Sequence, residues 1–248
     1  PILQHLYLAP NRNKKHSIRS LIITPTRELA IQIDDSFRTY GRYTGLKTSV
    51  IFGGVNQKTQ TDALRKGVDI LVATPGRLLD LMEQGFIDLR NIEYFVLDEA
   101  DRMLDMGFIH DIRKIIAKLP AKRQSMFFSA TLPRNIVELS RKILTNPKKV
   151  EINRESAPAE TIKQYLYYTN KQNKKDLILH ILENQDIDPV LLFSRTKHGA
   201  DKIVRNLRRE NIASDAIHGD KSQNQRQKTL ARFKERKIRV LVASDLAS

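Results

Sequence analysis

One feature constrains the fold of this 248-residue chain more than any other: short apolar runs alternate with stretches of helical spacing. The runs are Ser20–Thr24 (SLIIT), Thr48–Phe52, Asp69–Ala73, 93–97 and Ser125–Phe128. Between the first two, Leu29, Ile33 and Phe37 recur at a helical period. Runs this short and this continuously apolar read as strands buried on both faces. Their alternation with helices predicts a parallel, doubly wound α/β sheet with right-handed crossovers. Residues 1–8 read as the tail of a helix, Pro25 and Pro133 as helix openers, and 55–66 and 108–118 as helices.

The polar stretch 153–161 (NRESAPAET) breaks the alternation and reads as a linker between domains at 1–152 and 162–248. Beyond it the pattern restarts. Strands are expected at Lys163–Tyr168, Val190–Phe193, Ala213–Ile217 and Ile238–Val242, with helices at Lys174–Glu183, up to Arg209 and up to Lys234. Both ends look cut: Pro1 is not an initiator Met, and Ser248 follows a strand-like run with no closing element.

Composition narrows the function classes. Net charge is +15, with +9 on residues 1–150 and +6 on 151–248, as expected if both halves meet one polyanion. An inert basic surface is the plainer alternative. Tryptophan is absent and aromatics are 6%, so phosphate and sugar contacts are favoured over base stacking. There are no cysteines, which removes disulfides and thiolate metal sites. No stretch approaches the roughly 20 apolar residues of a membrane span, and no targeting segment is visible, so the expected compartment is the cytoplasm.

The central strand ends in Leu97-Asp98-Glu99-Ala100-Asp101, three carboxylates within four positions. Ligands of open parallel sheets bind at that end of the strands. An apolar strand running into Asp-Glu suits a Mg²⁺–nucleotide site: Asp98 would hold the metal through water, and Glu99 would orient or deprotonate the attacking water. A solvated acidic turn is the competing reading. The other strands also end in small, hydroxylated or charged clusters: TPTRE, GG, TPGR, SAT, FSRT, HGD and ASD. In one parallel sheet such clusters fall along one edge, where Gly admits close backbone approach and Arg pairs with phosphate.

The ordered set PTRELA (25–30), GG (53–54), TPGR (74–77), DEAD (98–101), SAT (129–131), LLFSRT (191–196), HGDKSQNQR (218–226) and VLVASD (240–245) resembles the DEAD-box ATP-dependent RNA helicases. The HGDKSQ wording is closest to bacterial RhlE-type members. The resemblance spans almost the whole chain and implies two RecA-like domains that close on ATP and single-stranded RNA. It implies Asp98 as the Mg²⁺ residue, Glu99 as general base, and Asp101 bonded to Ser129 and Thr131 as the coupling to the rest of the cleft. RNA contacts implied in the first half are Pro25, Thr26, Arg27, Gly53, Gly54, Thr74, Gly76 and Arg77. In the second half they are Arg195, Thr196, Gly219, Asp220, Gln223, Arg226, Ser244 and Asp245.

Plainer readings stand beside these. Pro25 and Pro75 are good helix starts, Gly53-Gly54 an ordinary turn, and Arg27 could pair with Glu28 or Asp34. Ser129-Ala130-Thr131 could be a structural turn, His218 a structural histidine, and Arg205, Arg208 and Arg209 a solvated helix face. The family's GxxxxGKT loop, adenine-reading glutamine and HRxGRxxR segment are not in this sequence, and Ser244 stands where Thr is commoner. The stretch by itself is therefore expected to bind ATP poorly and not to hydrolyse it. The resemblance implies local unwinding of short duplexes or remodelling of RNA–protein complexes, with ribosomal particles or RNA-decay proteins as partners. The rivals are a DNA helicase or translocase of the same superfamily and a non-catalytic RNA clamp.

Overall fold

The computed structural model describes residues 1–9, 17–151, 162–183 and 187–244. They form two compact units, Pro1–Pro147 and Lys148–Ser248. The expected linker at 153–161 lies outside the described residues, as does Asp245.

The first unit runs α1 (Ile2–Leu8), β1 (Ser20–Ile23), α2 (Arg27–Gly41), β2 (Thr48–Ile51), α3 (Gln57–Arg65), β3 (Ile70–Ala73) and α4 (Pro75–Glu83). It continues with β4 (Tyr94–Leu97), α5 (Ala100–Asp105), α6 (Ile109–Ile116), β5 (Gln124–Phe127) and α7 (Arg134–Ile143). All its strand pairs are parallel, in the order β2-β3-β1-β4-β5. Side chains of successive strand residues take opposite faces. Leu21, Ile23, Leu71, Ala73, Phe95 and Leu97 pack with α4, α5, α6 and α7, while Ile22, Ile70, Val72 and Val96 pack with α1 and α2. Both faces are covered, and every residue of β1 and β3 is buried.

The register is flush. Ile23 is level with Ala73 and Leu97, Ile51 with Ala73, and Leu97 with Phe127. The residues that follow each strand therefore emerge side by side along one edge. At the opposite end, the buried Arg19 donates to Glu93 Oε1 (2.6 Å) and to the carbonyls of Leu6 (3.1 Å) and Ala9 (2.6 Å), fastening the end of α1 beneath the sheet. A buried guanidinium is tolerated because its donors are satisfied.

The second unit contains α8 (Lys174–Glu183), β6 (Val190–Ser194), α9 (Lys197–Arg209), β7 (Ser214–Ile217), α10 (Gln223–Lys234) and β8 (Val240–Ser244). Its parallel sheet has the order β6-β8-β7, with α8 and α9 on one face and α10 on the other.

Three local expectations need correction. Lys163–Tyr168 is not a strand; it has no regular structure, with Tyr165 and Leu166 exposed, because no described strand lies beside it to complete a ladder. Pro25 does not open α2: the Thr26 hydroxyl takes the capping position, accepting from Leu29 N, and the helix starts at Arg27. Pro133 likewise stands one residue ahead of α7. Pro75 is a first-turn proline, in α4.

Candidate functional site at the strand ends

The strand order rearranges the sequence clusters. Along the edge of the first unit they stand as Gly53-Gly54, then Thr74–Arg77, then Pro25–Arg27, then Asp98–Asp101, then Ser129–Thr131. From β1 the chain passes to β2 and β3 on one side, then crosses to β4 and β5 on the other. The boundary between β1 and β4 is thus the switch point at which such sheets bind ligands. Cations and glycines stand on one side of it and carboxylates on the other.

On the basic side the Arg27 guanidinium lies against the Gly53-Gly54 turn so closely that a Cβ on Gly54 would overlap it. Gly54 also has φ +74°, a conformation side chains seldom adopt. Arg77 reaches back to the same turn, donating from Nη2 to the Val55 carbonyl at 3.4 Å, while Nε lies 3.4 Å from Asp80 Oδ2. Its Nη1 is buried without a hydrogen-bond partner among the described residues. Asp34, one possible partner for Arg27 in the sequence, is taken by Arg38 (2.6 Å) and the Thr48 hydroxyl (2.8 Å). Thr26 and Thr74 occupy the N-cap positions of α2 and α4, so two helix starts face the same edge. Helix N-termini favour anions. Pro25 and Thr74 are buried, and Gly76 is exposed.

On the acidic side a cavity of about 450 Å³ is lined by Asp98, Glu99, Asp101, Arg102, Asp105, Phe128, Ser129 and Ala130. Glu99 is left-handed (φ 50°, ψ 50°), a strained backbone for a residue with a side chain. It stands at the N-cap of α5 without using its carboxylate as a cap. That carboxylate lies 3.4 Å from Arg102 Nη1, one helical turn on. Asp98 accepts from Glu99 N at 3.0 Å, and burial raises its carboxyl above the ordinary value against the lowering effect of that bond. A half-buried carboxylate with free lone pairs gains from a cation. Mg²⁺ usually keeps several waters and takes one or two protein carboxylates, and Asp98 fits that demand. No group of three or more His, Cys, Asp or Glu positioned for a metal exists among the described residues.

Asp101 ties the ends of β4 and β5 together. Its Oδ2 accepts from Thr131 N and Thr131 Oγ1, both at 2.8 Å, and its backbone N donates to Ser129 Oγ at 3.3 Å. Ser129 Oγ donates in turn to the Thr131 carbonyl at 2.7 Å. Desolvation alone would raise the Asp101 carboxyl; the bonds from Thr131, Ser129 and Arg102 N outweigh it and hold the carboxyl below the usual range.

In the second unit, Thr196 caps α9 by accepting from Gly199 N at 3.0 Å, and Arg195 is exposed beside it. Gly219 and Asp220 are exposed, with Asp220 Oδ1 2.9 Å from Lys197 Nζ. Ser222 and Gln225 form a reciprocal capping box at the start of α10, where the buried Gln223 accepts from Arg226 Nη1 at 3.3 Å. Ser244 is buried and level with Ser194. His218 is buried 3.2 Å from Asp201. Sequence reasoning missed Arg102, Asp105 and Phe128. Only Arg102 had a signal, its i,i+3 spacing from Glu99.

The DEAD/DEAH box helicase family model matches residues 1–139, and the helicase conserved C-terminal domain matches 173–248. DEAD-box ATP-dependent RNA helicase 20 of Arabidopsis thaliana is 42% identical over 92% of this chain and 46% of its own length. DEAD-box ATP-dependent RNA helicase RhpA of Helicobacter pylori is 40% identical over 96% of this chain and 48% of its own. The chain spans about half the length of these curated relatives. Among solved structures, S. cerevisiae Dbp5 bound to RNA and ADP BeF3 superposes with a TM-score of 0.82 at 27% identity, covering 97% of this chain and 61% of that one. A DEAD box protein from Methanococcus jannaschii gives a TM-score of 0.55 at 36% identity, covering 99% and 66%. Each unit is thus a RecA-like parallel sheet flanked by helices. With motif clusters at the strand ends of each unit and the family model matching more than half its length, the chain belongs to the DEAD/DEAH box helicase family.

Proposed function

We propose that this chain is the motif-bearing part of an ATP-dependent RNA helicase, an RNA-dependent ATPase that locally unwinds short duplexes or remodels RNA–protein complexes. The observation that carries this reading is the division of one edge into a basic half and an acidic half, joined at the switch point between β1 and β4. The relatives named for this activity and the yeast structure bound to RNA and ADP BeF3 support it.

The roles follow the family resemblance, and the geometry of the strand ends supports them. Asp98 would hold Mg²⁺ through water, and the metal supplies charge neutralisation at the phosphates. Glu99, presented by its left-handed backbone and free of capping duty, would accept the proton of the attacking water. Asp101, bonded to Thr131 and Ser129, would transmit changes at the acidic half along the edge. Arg27, Arg77, the Gly53-Gly54 turn and the starts of α2 and α4 would take RNA phosphates, with Pro25, Thr26, Thr74 and Gly76 shaping that surface. Arg195, Thr196, Gly219, Asp220, Gln223, Arg226, Ser244 and Asp245 would contact RNA from the second unit, with 1–152 and 162–248 as the two domains. Backbone contacts make such binding independent of sequence, and 2′-hydroxyl contacts would select RNA over DNA. A cytoplasmic location, on ribosomal particles or with RNA-decay proteins, goes with this reading. No described helix is long and apolar enough to cross a membrane.

The test compares stimulation of ATP hydrolysis by RNA and by DNA in the full-length protein. Stimulation by RNA alone or in excess is expected. Greater stimulation by DNA would overturn the assignment in favour of a DNA translocase, and no hydrolysis under either would favour a clamp.

A further inference from the structure

The first unit has a second cavity of about 450 Å³, at the amino-terminal edge where β2 and β3 begin, the opposite end from the motif clusters. Phe37, Leu46 and Val68 line it with apolar surface, and Arg42, Lys47 and Lys66 contribute cations. Beside it, on the last turn of α2 and the following loop, Tyr40 and Tyr43 are 80% and 83% exposed. The Arg42 guanidinium lies 4.6 Å from the centre of the Tyr43 ring. Arg38, also lining the cavity, is paired with Asp34 at 2.6 Å. Among the described residues no carboxylate pairs with the side chains of Arg42, Lys47 or Lys66; Asp69 accepts only from the Lys47 backbone.

Part of this arrangement is ordinary helix capping. Lys66 follows the end of α3, Arg42 follows the end of α2, and Lys47 Nζ donates to the Lys66 carbonyl at 3.3 Å. Cations suit helix C-termini. Capping explains the charges, but it does not explain two large rings held in water three residues apart at the same place. Exposed rings beside cations without carboxylate partners are what a single nucleic-acid strand requires, because every base has a face to stack and every phosphate a charge to meet.

We infer that this amino-terminal edge is a second binding site for single-stranded RNA, with phosphates on Arg42, Lys47 and Lys66 and bases stacked on Tyr40 and Tyr43. It extends the RNA reading above, and lies a strand length, about 13 Å, from the edge that reading uses. A strand held at the motif edge and long enough to wrap the sheet would be gripped at both ends of the unit. The same chemistry would admit a free nucleotide, which the experiment separates.

The test is fluorescence anisotropy of labelled oligouridylates on this chain, with strands of about 6 and about 20 nucleotides, the shorter filling one edge only. The double variants are Lys47→Gln/Lys66→Gln and Tyr40→Ala/Tyr43→Ala, with circular dichroism melts to show that both fold. For the long strand, each double variant is expected to bind roughly tenfold more weakly. The lysine pair should also flatten the slope of log K against log salt by about 1.4, two phosphates at about 0.7 each. Short-strand affinity for the motif edge is expected to change little. An unchanged long-strand affinity and slope overturns the inference. So does an equal loss at both lengths, or displacement of the long strand by uridine monophosphate from the unaltered chain but not from the lysine variant. Arg77→Ala is the control for the motif edge and should weaken both lengths. If it weakens neither while the double variants still act, the motif-edge reading fails and this one stands.

Discussion

On one side of the β1–β4 boundary the strand-end edge presents Arg27 and Arg77 around a glycine turn; on the other it presents Asp98, Glu99 and Asp101. The two halves share the same four-residue strands and the same flush register. They differ in how each strand hands over to its helix. On the basic side the N-cap residues of α2 and α4 are threonines with an extended backbone. On the acidic side the N-cap residue of α5 is Glu99 in a left-handed conformation, and its carboxylate meets Arg102 instead of capping the helix. One scaffold thus carries a basic half and an acidic half, and the residue between strand and helix differs between them.

The largest expected effect would break the comparison outright. In the full-length protein, Glu99→Gln should lower steady-state ATP hydrolysis by about 10²- to 10⁴-fold, the usual worth of a general base, while RNA affinity is unchanged. Normal hydrolysis by this variant would remove Glu99 from the base role. On the other half, Gly54→Ala places a Cβ on the Arg27 guanidinium at φ +74°. A cost of about 1–3 kcal/mol in chemical denaturation is expected, together with weaker RNA binding. Should RNA affinity survive with Arg27 displaced, that side chain does not hold phosphate.

A smaller effect sharpens the link between β4 and β5. The Asp101 carboxyl is held below its unfolded value, so its charged form stabilises the fold above the ordinary carboxylate range. That stabilisation is lost as pH falls through the depressed folded value. Denaturant midpoints measured from about pH 6 to about pH 3 should fall less steeply for Asp101→Asn than for the unaltered chain. Parallel curves would show that the Thr131 and Ser129 bonds carry no net stability. The smallest effect concerns Asp98, whose charged form is penalised by burial. Asp98→Asn should leave thermal stability unchanged or raise it, by less than about 1 kcal/mol, while abolishing Mg²⁺-dependent hydrolysis. A clear loss of stability would mean that Asp98 is a structural residue first.

Much of this was legible in the sequence. β1, β3 and β4 announce themselves as apolar runs because a strand covered on both faces has no room for polar residues. The Asp101 bridge to Ser129 and Thr131 followed from the family resemblance, and the contacts are present. Lys163–Tyr168 shows the limit. Its residues favour a strand, yet a strand needs a neighbour's hydrogen bonds, and none of the described strands supplies them. Arg102 escaped notice because a charge on a helix surface carries no sign of which carboxylate it meets. The contact between Arg27 and Gly54 escaped because 27 residues of sequence separate them.

By itself, then, the sequence determined which residues end the strands and what chemistry they can perform, since burial and turn formation act locally and leave their mark on neighbouring positions. Only the tertiary structure decided the order of those strand ends. Parallel pairing placed β1 between β3 and β4, which set the Pro25–Arg27 cluster directly beside Asp98–Asp101 and left the Gly53-Gly54 and Thr74–Arg77 clusters beyond it. The physical reason is that hydrogen bonds between strands join residues far apart in the chain, and no local preference encodes which strand becomes the neighbour.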